Sequence, residues 1–139
     1  MDNRPSQRLV EQRLRNRIME ELHGLVTWQR YLAEYGAGEY FEGFFDFVPY
    51  EGVELSSAIT EAERAALLEV HELVTAACDE TPRMVTTEML IATGWPERIA
   101  PAAQRALDLM WARGQFSEEH EEDEPSLKKP DSGKSAPES

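Results

Sequence analysis

The chain has 139 residues, with 27 Asp or Glu against 14 Lys or Arg, and a formal net charge of −13. Its length predicts a single domain. The negative charge disfavours direct binding to nucleic acid or to an anionic membrane surface, because both require clustered Lys and Arg. Cys78 is the one cysteine, which excludes an intramolecular disulfide, and we expect a reducing, cytoplasmic setting.

The N-terminal residues contain no apolar run typical of a signal peptide, and no stretch approaches the roughly 18 apolar residues of a membrane span. Charge is also distributed unevenly. Residues 1–30 hold six arginines and four acids, whereas residues 34–63 hold eight acids and no Lys or Arg. Such an uneven charge can steer a partner or favour self-association. The simpler interpretation is that the charges lie on solvated helix faces.

The first predicted element is one long helix over residues 7–35. Ser6 is the predicted N-cap, and Gly36 predicts the end, because glycine takes the left-handed conformation at little cost. Gly24 lies inside the pattern and indicates a kink or a close helix crossing. Apolar residues recur every three or four positions and share one face: Leu14, Ile18, Leu22, Leu25, Trp28 and Leu32.

The next segment, YFEGFFDFVPY at residues 40–50, contains four of the five phenylalanines of the chain. The spacing of its apolar residues favours a short amphipathic helix over residues 39–48, ended by Pro49. The alternative is a strand, because aromatic residues favour strands. Residues 49–57 are predicted to form a loop.

Thr60 and Glu63 match a capping box, which predicts the start of a helix that ends near Cys78. A short helix follows from about residue 88 to residue 93, with Thr86 or Thr87 as its cap. Two prolines predict that a single turn at residues 96–99 leads into the last helix at residues 101–113.

The fold class that these elements predict is all-α: a small bundle of about four to five helices with one long N-terminal helix. Residues 1–116 form the predicted helical domain. Residues 117–139 are polar and acidic, and we expect a disordered acidic tail because they bury too little surface to offset their conformational entropy. We further expect this tail to shield the arginines of the first helix within the same chain.

No catalytic motif is identified, and we expect a protein that is not an enzyme, without metal or cofactor. Glu20 and His23 match only half of the paired Glu-x-x-His pattern of di-iron bundles. His71 shares a helical stripe with Leu67 and predicts a packed or half-buried histidine. Cys78 lies seven residues further along, roughly 10 Å away on a helix, which is too far for His71 to activate the thiol.

The 40–50 segment divides into a buried face and an exposed rim. Phe41, Phe44 and Phe45 fall on the inner face by their spacing. Aromatic side chains surrounded by carboxylates are expected on a surface that docks a basic protein. The aromatic side chains supply contact area, and the negative charges steer the approach of the partner. The candidate partner-binding residues are Glu39, Tyr40, Glu42, Asp46, Phe47, Tyr50 and Glu51.

These features favour a non-enzymatic protein-binding module that docks a partner with a basic surface. In size and charge it is comparable to small acidic bacterial inhibitors, such as immunity proteins that act against nuclease toxins and proteins that mimic nucleic acid. One alternative is a structural or regulatory subunit that forms a homodimer through its N-terminal helix. A second alternative is an enzyme whose site has no sequence signature.

Overall fold

The structure of the protein, a computed structural model, describes residues 4–129. Six helices form within this part of the chain and no strand does, apart from one isolated bridge between Gln115 and Leu127. The all-α prediction is confirmed. The helices are α1 (Gln7–Val26), α2 (Trp28–Phe47), α3 (Tyr50–Leu55), α4 (Glu61–Glu80), α5 (Thr87–Ala92) and α6 (Trp95–Arg113).

The helix predicted over residues 7–35 is divided at Thr27. This residue leaves helical geometry, with φ −100° and ψ 47°, and its N–H donates to the carbonyl oxygen of His23 to end α1. The N-cap prediction is confirmed, because Ser6 accepts a hydrogen bond from the N–H of Leu9. Gly24 marks a close crossing: a Cβ there would lie 2.9 Å from a ring carbon of Tyr31 on α2.

Gly36 divides α2 into two helical parts. Its φ of 88° and ψ of 170° are open to glycine and strained for other residues, so the predicted helix end at this position is confirmed. The aromatic segment forms the second part of α2, which confirms the helix and rules out the strand. The loop predicted at residues 49–57 instead contains α3, which begins directly after Pro49.

The helix starts that capping residues predict in the second half of the chain are confirmed for α4 and α5. Thr60 and Glu63 form both hydrogen bonds of the capping box at the start of α4. Thr86 caps α5 by accepting from the N–H of Met89. The predicted division near Pro101 is wrong, since α6 is continuous and carries Pro101 on its exposed face, where the missing N–H removes only one helical bond.

One hydrophobic core joins all six helices. It includes both large aromatic residues and small alanines, and the alanines of α6 allow close packing against its neighbours. Most of the aromatic segment belongs to this core, as the sequence predicts for Phe41 and Phe44. Core residues include Ile18, Leu22, Leu25, Phe44, Val53, Leu67, Val70, Val74, Leu90, Ile99, Ala103, Ala106 and Met110.

Residues 115–129 follow α6 and lie against α1, which differs from the disorder expected from residue 117 onward. The reason is that α1 supplies polar partners for the main chain of this segment. Arg8 donates to the carbonyl oxygens of Glu122 and Asp123, and Arg13 donates to that of Glu118. The rest of the predicted tail, residues 130–139, lies outside the described residues.

None of the helices in the described part of the chain combines the length and apolar character needed to cross a bilayer.

Candidate protein-binding site

Five of the seven candidate partner-binding residues lie on the surface. Glu39, Glu42 and Asp46 are exposed along the second part of α2, at spacings of three and four that place them on one side of the helix. Glu51 and Tyr50 are exposed on α3, and Tyr50 keeps 54% of its surface accessible. The structure therefore brings four carboxylates and one aromatic ring to neighbouring parts of α2 and α3.

The placement of Tyr40 at this rim is wrong. Its side chain is only 1% exposed, and its hydroxyl finds no hydrogen-bond partner among the described residues. Burial raises the pKa of Tyr40 above its ordinary value. The residue packs edge-on against Phe41, with ring centroids 5.3 Å apart, and belongs to the core.

Phe47 is half-buried and its ring has a partner within the chain. The Arg17 guanidinium lies 4.0 Å from the centre of the Phe47 ring, in cation–π geometry. Arg17 also lies 3.5 Å from Glu20 and 3.6 Å from Glu21 on the same helix. Phe47 thus contributes to the packing of α2 on α1 and offers a partner less surface than the sequence predicts.

The aromatic surface near Tyr50 is built around His71 of α4. The imidazole lies 5.7 Å from the Tyr50 ring, 5.6 Å from Phe45 and 5.8 Å from Phe44, centre to centre. Its Nδ1 is 3.4 Å from the Thr75 hydroxyl oxygen. Burial lowers the pKa of His71. The half-buried histidine expected from the sequence is confirmed, and it links α2, α3 and α4.

A cavity of about 340 Å³ opens beside Glu42, between α2 and α4. Its α2 wall is apolar or small except for Glu42, and the segment after α4 also lines it. Met84 lies in that segment and is 88% exposed. The lining residues are Ala37, Gly38, Phe41, Glu42, Cys78, Thr81, Pro82, Arg83 and Val85.

We give the name α2–α4 groove to three features on neighbouring parts of α2 and α4: the aromatic cluster around His71, the cavity lined in part by Cys78, and the acidic edge of α2. His71 and Cys78 are seven residues apart and so lie on one side of α4, two helical turns apart. Phe41 and Val85 give the cavity apolar contact area. Carboxylates stand along one edge, and Arg83 is the basic residue among the cavity lining.

Sequence reasoning overlooked the part of the groove that α4 supplies. The available signal was the spacing of His71, Thr75 and Cys78, which places three small or half-polar side chains on one face of a helix otherwise rich in leucine and valine. Within residues 4–129, no three His, Cys, Asp or Glu side chains are arranged to hold a metal ion. Glu20 and His23 instead border a separate cavity between α1 and α6.

Comparison of this chain with protein-family models, with curated proteins and with solved structures finds no match.

Proposed function

We propose that the protein is a non-enzymatic binding module and that its α2–α4 groove docks a basic segment of a partner protein. The observation that supports this most directly is the combination found along one groove. Half-buried and exposed aromatic rings surround His71. Exposed Glu42 lies three residues before Phe45 on α2, and exposed Asp46 lies one turn beyond Glu42. Residues 39–54 carry five acids and no Lys or Arg.

Each part of this surface has a distinct physical role. The rings of Phe45 and Tyr50 give apolar area that stabilises a complex by roughly 25 cal/mol for each Å² removed from water. The carboxylates raise the association rate of a basic partner and disfavour an acidic one. Since the aromatic rings are fixed by contacts with His71, little side-chain entropy is lost on binding.

Selection from a random library of displayed peptides tests the proposal. We expect enrichment of peptides that combine Lys or Arg with one or two apolar anchors. Their affinity should fall as salt concentration rises, because the carboxylates are exposed to solvent. The double variant Glu42→Lys plus Asp46→Lys should lose binding to the selected peptides.

A matched control is the double variant Glu97→Lys plus Asp108→Lys. Both of these acids are exposed on α6, so the change in net charge is the same at a different surface. Selected peptides should bind this control nearly as well as the wild type. Equal losses in the two double variants would show a response to overall charge alone and would reject the groove as the docking site.

A homodimer formed through α1 has less support. Such a dimer would pair the arginines of α1 with the acidic residues 34–63 of a neighbouring copy. In the structure, Arg8 and Arg13 donate to carbonyl oxygens of residues 118–123, and Arg15 is buried against Glu63. These three arginines therefore have partners within their own chain, and the binding module remains the function that the geometry favours.

A further inference from the structure

Residues 115–127 form a compact loop, which we call the C-terminal loop. Its ends are joined by two main-chain hydrogen bonds: the N–H of Gln115 donates to the carbonyl oxygen of Leu127 at 2.7 Å, and the reverse bond is 2.9 Å. Loops whose ends meet in this way behave as self-contained units on a protein surface. Contacts with α1 hold this unit in place.

Two buried amide side chains of α1 recognise the main chain of this loop. Asn16 donates to the carbonyl oxygen of Phe116 at 2.9 Å and accepts from its N–H at 3.1 Å. Gln12 donates to the carbonyl oxygens of Ser117 and His120, both at 3.0 Å, and accepts from the N–H of Glu122 at 2.8 Å. This pairing uses the main chain of a turn at residues 117–122 and does not depend on the side chains in that turn.

Phe116 supplies the side-chain anchor. It is completely buried, and three guanidinium groups lie around its ring, those of Arg8 at 5.0 Å, Arg15 at 5.4 Å and Arg113 at 5.7 Å from the centroid. Aromatic rings surrounded by cations gain electrostatic stabilisation beyond their apolar burial. The pocket therefore selects an aromatic side chain.

Bonds that do not involve the C-terminal loop hold much of this pocket in place. Arg15 donates to the Glu63 carboxylate at 2.8 Å and to the carbonyl oxygen of Met110 at 3.0 Å. Arg113 donates to the same carboxylate at 2.9 Å and to the carbonyl oxygen of Ala58 at 3.3 Å. The Arg15 and Arg113 sides of the pocket are thus pre-organised, whereas Arg8 also donates to Glu122 and Asp123 of the loop.

We propose that this surface of α1 is a peptide-binding site that the C-terminal loop fills in cis, and that it takes a segment of a partner protein that forms the same turn and in which a phenylalanine precedes acidic residues. The loop's own sequence, GQFSEEH at residues 114–120, indicates which partner segment would fit. The arginines that face the loop favour the same acidic residues. Six acids within residues 118–124 repel one another, which weakens the hold of the loop. The site is separate from the α2–α4 groove.

Fluorescence anisotropy with a labelled GQFSEEH peptide tests this inference on the full-length chain at physiological salt. Wild-type protein should bind weakly, because the tethered loop competes at an effective concentration on the order of millimolar. Phe116→Ala removes the side-chain anchor of the loop, so the loop competes less well for Asn16 and Gln12, and we expect at least about tenfold tighter binding of the peptide. The control peptide GQASEEH should bind neither protein.

Equal binding of the two peptides, or no binding to a folded Phe116→Ala chain, would overturn the inference. A dimer of the wild-type chain that forms with concentration and is lost in Phe116→Ala would assign the site to a second copy instead. Hydrogen exchange of the wild type decides the matter if the variant does not fold. We expect the Phe116 and Glu122 amides to exchange at least about a hundredfold faster than that of Ile18, and exchange at one common rate would reject a detachable loop.

Discussion

Glu63 lies 2.8 Å from Arg15, and the two side chains are 1% and 0% exposed. The same carboxylate accepts hydrogen bonds from Arg113 at 2.9 and 3.1 Å. It also accepts from the N–H of Thr60 at 3.1 Å as half of the capping box. A single carboxylate therefore caps α4 and joins it to α1 and α6.

Glu63→Gln should lower the free energy of unfolding by about 3–5 kcal/mol, because the Arg15 guanidinium would be left buried without a counter-charge. Urea denaturation measures this loss. The control is Glu69→Gln, which removes an exposed partner of Arg105 at 3.0 Å and should cost less than about 1 kcal/mol. Similar losses in the two variants would show that the buried Glu63 network stabilises the fold no more than an exposed ion pair does.

Lowering the pH should reduce the free energy of unfolding of the wild type, in part because Glu63 becomes protonated. Burial alone would raise the pKa of this carboxyl, but the hydrogen bonds and charge of Arg15, with the Thr60 N–H and Arg113, hold it below the ordinary value of 4.5. Because the folded-state pKa is depressed, the stabilisation is present above about pH 4.5 and is lost as the pH falls through the folded-state pKa. Unfolding free energies of the wild type and Glu63→Gln should therefore converge as the pH is lowered, and a constant difference would contradict this.

Two neighbouring glycines should respond in opposite ways to alanine. Gly36 has a φ of 88°, so Gly36→Ala should destabilise the protein by about 1–3 kcal/mol through backbone strain. Gly38 lies within the helical part of α2, and a Cβ there would meet no atom within 4 Å, so Gly38→Ala should stabilise the protein by up to about 1 kcal/mol. Urea melts of both variants check the pair, and a loss of stability in Gly38→Ala would show that this prediction is wrong.

His71 should remain neutral to lower pH than a free histidine. Burial lowers its pKa from the ordinary value of 6.5, so the unfolded chain takes up this proton first as the pH falls. Folded stability should accordingly decrease through this range as acid is added. An NMR titration of the imidazole protons measures the pKa directly, and a value above 6.5 would contradict the packing of His71 among the rings of Phe44, Phe45 and Tyr50.

Local signals in the sequence predicted much of the fold. Ser6, Thr60 and Glu63 act through bonds to residues three positions away, and Gly36 acts through its own backbone conformation, so each can be recognised in a short window. The helical spacing of the aromatic segment likewise placed Phe44 in the core. These features do not depend on contacts with distant parts of the chain.

Other features depend on contacts between distant residues and were missed for that reason. Arg15 and Asn16 are polar residues whose burial is offset by partners roughly 50 and 100 positions away along the chain. Residues 117–129 are too polar to predict an ordered segment, yet α1 forms hydrogen bonds with the main chain of residues 117–123. The sequence places Tyr40 at the rim because tyrosine is amphipathic, but in the structure its ring is buried and packs against Tyr31 and Phe41.

Mapping a selected basic peptide onto the protein by NMR tests the central claim most directly. Amide shifts should change along α2 from residue 37 to residue 47, on α4 near His71 and Cys78, and in the segment at residues 81–85. They should not change when the same peptide is added to Glu42→Lys plus Asp46→Lys. Shifts centred on α6, or spread evenly over the acidic surface, would contradict a docking groove between α2 and α4.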